Sequence, residues 1–139
     1  MSYLDTKQAL IKKLLATSIT GITTADMAFE NNNFDPKGKT KYIGAYFIPA
    51  TSETTGKEVS AKQEQRGIFQ VSVYIKLSGG SYINEQLQIV DDLLTGFAYG
   101  STEAYNGKTV SILESTVNSG SENEAWYKRD VSINYLIIN

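Results

Sequence analysis

Carboxylates and lysines are the reactive groups this chain offers, because it contains neither histidine nor cysteine. Without cysteine there is no disulfide, no thiolate nucleophile and no sulfur-ligated metal. Without histidine, the usual general base at neutral pH and the commonest zinc ligand are missing, as is the Ser-His-Asp constellation. Carboxylate or lysine catalysis remains, as does carboxylate binding of calcium or magnesium. Asp91 and Asp92 are adjacent, and adjacent helical residues point about 100° apart, so they do not converge on one substrate. Glu30 with Asp35, or Glu122 with Glu124, offers oxygen ligands for a hard cation, but neither pair has the dense acidic spacing of a calcium loop. Gly79-Gly80 falls between an expected strand and an expected helix, where main-chain amides attract anions. The phosphate motif needs a wider glycine spacing and a Lys-Ser/Thr pair, which this segment lacks, so a plain turn is the better reading. No catalytic residue, cofactor site or metal site is expected, and the chain reads as a non-enzyme.

Composition points to binding instead. The 139 residues, 41% hydrophobic and 20% charged, suit one globular domain over 1–139 with a single core. A net charge of -2 argues against a generally basic surface and against specific nucleic-acid binding. The nine tyrosines include Tyr42, Tyr46, Tyr74, Tyr127 and Tyr135 in expected strands. Basic residues do not interleave with them as base-stacking surfaces require, so core or protein-interface roles are favoured. The first residues lack the basic and apolar regions of a signal peptide, and no run is apolar enough to cross a bilayer. A protein made and used in the cytoplasm, with no membrane partner, is the expectation.

Periodicity then supplies the elements. Residues 2–16 read as an amphipathic helix with Leu4, Ile11, Leu14 and Leu15 on its apolar face, Ser2 as N-cap and Asp5 in the first turn. A short strand is expected around 26–30, and a second over 41–49, ended or placed at an edge by Pro49. Residues 51–66 are polar and charged throughout, either a long loop or a projecting hairpin arm. Residues 67–77 alternate strictly, with Phe69, Val71, Val73, Ile75 and Leu77 on one side. A second helix over 82–97 carries Ile83, Leu87, Val90, Leu94 and Phe97, with Ser81 as its cap. Strands over 108–115 and 126–138 close the chain. The fold class is α+β, a mostly antiparallel sheet with both helices on one face, in the order α-β-β-(loop or hairpin)-β-α-β-β.

Lys37, Lys39 and Lys41 form a compact basic stretch, while Glu114, Glu122 and Glu124 make the last turn region acidic. Were these on opposite flanks, copies of the chain could meet head to tail and close a ring; two solvated loops are the simpler alternative.

Several segments together resemble the tail terminator, or tail completion, proteins of long-tailed bacteriophages and prophages. They are Glu30-Asn31-Asn32-Asn33-Phe34-Asp35-Pro36, Tyr42-Ile43, Ile48-Pro49 and, most distinctively, Arg66-Gly67-Ile68-Phe69-Gln70-Val71-Ser72-Val73-Tyr74. The glycine turn departs from the family pattern in having no proline. The resemblance implies a structural subunit that forms a ring, typically a hexamer, on the last ring of tail-tube protein. Such a ring stops tube growth and offers a surface to the head-completion or connector protein. It implies work in the host cytoplasm during assembly and then at the head-proximal end of the tail. The 51–66 arm, with Lys57, Glu58, Lys62, Glu64 and Arg66, would contact the tube or line the ring. Other readings are a head-tail connector, a tube subunit or, from a different class, a carboxylate-dependent enzyme or nucleotide-binding domain.

Overall fold

The structure, a computed structural model, describes residues 3–30, 33–54, 63–77 and 82–138. Helix α1 spans Tyr3–Ala16 and α2 spans Ile83–Gly96. The strands are β1 (Met27–Phe29), β2 (Lys41–Thr54), β3 (Gln63–Lys76), β4 (Thr102–Tyr105), β5 (Lys108–Val117), β6 (Ser121–Asn123) and β7 (Trp126–Ile138). They form a seven-stranded sheet in the order β1-β2-β3-β7-β5-β4, with β6 paired to the start of β7. Every pairing is antiparallel except β1 with β2.

The alternation seen in the sequence builds the core. Phe69, Val71, Val73 and Ile75 of β3 meet Val131, Ile133, Tyr135 and Ile137 of β7 on one face of the sheet. Ala9, Leu10 and Leu14 of α1 and Ile89, Val90 and Leu93 of α2 pack onto that face. Both helices are turned relative to the expected faces. In α1 Leu4 and Leu15 are 62% and 49% exposed, while Thr6, Ala9, Leu10 and Leu14 are buried. Small residues at positions 6 and 9 let the helix approach the sheet closely, and a leucine at either place would hold it off. In α2 Leu87 faces outward and Gln86 is fully buried. The Gln86 amide donates to Val73 O at 3.0 Å and to Tyr127 O at 3.1 Å, and its oxygen accepts from Arg129 Nε at 3.2 Å. One polar side chain thus ties α2 to β3 and β7, and burial is tolerable because it is satisfied. Leu77, expected in the buried row, lies past β3 and is exposed, whereas Ser72 and Tyr74 on the opposite row are buried.

Several connections were expected as loops. Residues 51–54 and 63–66 are paired strand, with Ser52 opposite Gln65 and Thr54 opposite Gln63, so the arm begins as a hairpin. Its tip, carrying Lys57, Glu58 and Lys62, lies outside the described residues, as do the proposed caps Ser2 and Ser81 and the Gly79-Gly80 turn. Thr24–Asp26 is a short 3-10 turn that leads into β1, with Asp26 accepting from the Thr23 amide at 3.0 Å. β4 and β5 form a hairpin through Asn106 and Gly107, both at positive φ, as a tight two-residue turn requires. This hairpin also holds α1: Lys12 pairs with Glu103 at 3.3 Å and donates to Ala104 O at 3.0 Å, and Asn106 donates to Asp5.

Candidate functional site

The helix-free face of the sheet is where exposed chemistry gathers, and its two ends differ. At one end lie Tyr42 and Tyr46 of β2, Tyr74 of β3 and Trp126 of β7. Tyr42 and Tyr74 stack at 4.4 Å between ring centroids, and Trp126 meets Tyr42 edge-on at 4.9 Å. Phe34 closes over Tyr42 from the preceding loop at 4.9 Å. The Tyr46 ring lies back along its own strand over Gly44, where a side chain would be only 2.9 Å from its hydroxyl, and reaches Tyr74 Oη at 3.4 Å. Burial, and then the hydrogen bond with Tyr74, push the Tyr46 phenol up to about 12. Burial also raises Tyr42, with Tyr46 and the Glu124 carboxylate adding to the effect. Beside the rings, Ser72 donates to Asp130 at 2.6 Å, and Lys128 pairs with Asp130 at 3.6 Å.

At the other end, at the base of the arm, a groove of about 540 Å³ runs across the strands. Arg66 and Ile68 of β3, Asn134 of β7, Leu113 and Glu114 of β5, and Tyr99 line it. Tyr99 is 75% exposed, and Ile48, cross-strand neighbour of Ile68, is 43% exposed. Asn134 is fixed there by donating to Glu114 O at 2.8 Å. Apolar surface rimmed by one cation and one anion suits contact with protein better than chemistry on a small molecule.

The sequence-derived charges separate between these ends. Arg66 lies at the groove, and the backbone of Glu64 lies in β3 opposite Glu53 and Ile138. Lys37, Lys39 and Lys41 run beside the opposite end. Lys39 is held by Asp26 at 2.7 Å and Lys41 by Glu85 at 3.2 Å. The Lys37–Lys39 loop and the turn before Trp126 line one shallow groove of about 390 Å³. Glu122, opposite Tyr127 in the β6–β7 hairpin, and Glu124, in its turn, belong to that same end. The basic stretch and these two acids therefore do not sit on opposite flanks; only Glu114 lies towards the far end. The β6–β7 hairpin and the loop before β2 converge because β2 and β7 begin and β3 ends at this end of the sheet, which local sequence does not reveal.

Three of the acids weighed as metal or catalytic groups, Glu30, Asp35 and Asp92, have structural partners. The Glu30 carboxylate accepts from the Phe47 amide, and Asp35 accepts from the Lys37 amide at 3.0 Å. Asp92 accepts from the Thr20 amide at 2.8 Å; that bond is the main cause of its lowered pKa. No group of three or more carboxylates able to hold a metal ion occurs among the described residues. No helix among them is long and apolar enough to cross a membrane.

The edge of β5 and the β4 hairpin beside it were not anticipated. Asn106-Gly107 between Tyr105 and Lys108 is a strong hairpin signal that would have found the latter.

No curated protein matches the chain. A solved structure of a protein that bears no functional name is similar, with a TM-score of 0.73 at 22% identity, over 99% of this chain and 96% of that one. At that identity the likeness shows the fold alone. A family model described as phage tail terminator protein matches residues 6–135, from the first turns of α1 to the last strand. This chain belongs to the phage tail terminator family, whose place is the virion tail and whose role is structural.

Proposed function

We propose that copies of this chain form a ring, six in number, that caps the head-proximal end of the tail tube, stops its growth and receives the head-completion protein. The observation that carries this reading is the family match over 6–135, which spans both helices and nearly the whole sheet. The surfaces described above support it. The arm projects from the sheet: its Thr54–Gln63 rung lies beyond Glu64–Ile138, the last rung β3 shares with β7. Lys57, Glu58, Lys62, Glu64 and Arg66 along the arm are the residues we assign to the tube or the ring lumen. Lys37, Lys39, Lys41, Glu122 and Glu124, at the other end of the sheet, form a second surface, assigned to the connector side. Assembly takes place in the host cytoplasm before the chain enters the virion.

Tail tubes grown from purified tube protein, with and without this chain, test the proposal by electron microscopy and by counting copies per tube end. Arrested growth with about six copies on one end is the expected result, the number being that of the ring closure proposed here. Open-ended filaments of this chain alone would instead make it a tube subunit. Tubes that lengthen as if the chain were not there would sink the terminator role.

A further inference from the structure

Two strands of the sheet are left partly uncovered by their outer neighbours. β1 pairs with β2 only at Ile43, Gly44 and Ala45. The Phe47 amide is taken by the Glu30 carboxylate, and Pro49 has no amide to give. A visiting strand is thus kept off β2 as far as Pro49, and among the described residues no strand pairs with its outer side in the arm, at residues 50–54. On the far side of the sheet β4 covers β5 only as far as Ser111. The Gly100 amide then donates to Ile112 O and the Ile112 amide to Ser101 O, both at 2.8 Å, and the cover stops. Among the described residues no strand pairs with the outer side of β5 from Leu113 to Val117.

The direction of the free groups follows from the ladder. The Asn118 amide donates to Asp130 O at 3.1 Å, and Thr116 faces Ser132, so Thr116 and Asn118 bond inwards to β7. By alternation Ser115 and Val117 turn their main-chain N–H and C=O outwards. The register shift between Ile112 and Ser115 keeps this in phase with Ile112, which also bonds outwards. Leu113 of the groove lies on this rail, and Tyr99, next to Gly100, borders it. An added strand would draw affinity from the main chain and seat alternate side chains beside them.

We infer that residues 50–54 of one copy add as a strand to the Leu113–Val117 edge of β5 in a second copy. The inference rests on the ring reading above and deepens it by naming the contact between subunits. The two edges are different surfaces on opposite sides of the strand order, so the contact is heterologous and propagates from copy to copy until it closes. The arm suits the task because it reaches past the end of its own sheet. Glu30 and Pro49 prevent the pairing from sliding back along β2.

Val117→Pro tests this, because it removes an outward amide that β7 does not use. Val117 is 39% exposed, so little core is lost, and the extended backbone of Thr116 suits a following proline. Val117→Thr, which keeps the amide, is the control. With purified tail tubes, and alone in a concentration series by light scattering, wild type and Val117→Thr should assemble alike. Val117→Pro should need about tenfold more protein or beyond, the worth of a lost interface hydrogen bond. A folded Val117→Pro that assembles at the wild-type concentration overturns the strand pairing and leaves the ring intact. Wild-type protein that never gathers in multiple copies on tubes overturns both. Hydrogen exchange on the unaltered protein reads the same contact without a variant. The Ser115 and Val117 amides should exchange several-fold more slowly in the assembled form, and unchanged exchange overturns the pairing.

Discussion

Gly67 and Tyr135 are cross-strand partners in β3 and β7, and the tyrosine ring occupies the space that a side chain at position 67 would fill. A Cβ there would lie 2.7 Å from Tyr135 Cζ and 2.8 Å from the main-chain oxygen of Ile48. The first atom belongs to a ring stacked on Phe47 at 5.8 Å, and the second to a paired strand, so neither gives way easily. Gly67→Ala should cost about 1–3 kcal/mol, as overpacked cores do, seen as a lower denaturant midpoint. A midpoint equal to that of wild type would show that the ring relocates freely.

Tyr135 is fully buried, its hydroxyl has no partner among the described residues, and burial first, then Tyr3, raises its pKa to about 12. Tyr46 is raised to about 12 as well. A raised phenol is neutral in the fold while the unfolded chain ionises near 10.0, so the unfolded state binds fewer protons between the two values. Stability should therefore fall as pH rises from about 10 to about 12, by at most roughly 3 kcal/mol for Tyr135 and less for the partly exposed Tyr46. Thermal unfolding across that range checks the slope. Tyr135→Phe should be neutral or stabilising by about 1 kcal/mol at pH 7, since it removes an unsatisfied hydroxyl, and should flatten the alkaline loss.

Gln86 satisfies two strand carbonyls and one arginine from a fully buried position. Gln86→Leu fills similar volume but strands the Arg129 donor and both acceptors, for a cost of about 2–3 kcal/mol. Gln86→Glu should be tolerated better at Arg129 than at the carbonyls. Chemical denaturation of both variants separates these contributions.

Asp26 joins the turn before β1 to Lys39. Burial raises its pKa, but this is outweighed by the Lys39 hydrogen bond, the Thr23 amide and the Lys39 charge, which together leave it below 3.8. A lowered carboxylate stabilises the fold above its unfolded value and loses that contribution as pH falls through the folded one. Asp26→Asn should lower stability by about 1 kcal/mol at pH 7 and lessen the further loss below about pH 4. Equal acid sensitivity of variant and wild type would refute the assignment.

The two long inner strands and both helices were legible because their hydrophobic periods are strong and uninterrupted. Helix orientation was not. Leu4, Leu15 and Leu87 satisfy a helical period as well as the residues that are in fact buried, and only packing against the sheet favours Thr6, Ala9 and Gln86. The arm was legible as either a loop or a hairpin, and the choice between them was not, since Ser52, Glu53, Gln63 and Glu64 carry no apolar alternation; main-chain pairing settles it as the start of a hairpin. At the site, Arg66 was found through its motif. The groove around it was not, because Tyr99, Leu113 and Asn134 come from distant segments. The ion pairs of Lys39 with Asp26 and of Lys41 with Glu85 were not legible either, because each partner comes from another segment of the chain.

The seat of α1 has a temporal consequence. Lys12 and Asp5 are fastened by Glu103, Ala104 and Asn106, which the ribosome delivers only after α2 and the first three strands. The first helix made must wait for the β4 hairpin before these contacts can form, and contacts of such long sequence separation form slowly. β7, which lies between β3 and β5, is made after both, so the core on that face stays open until it is added.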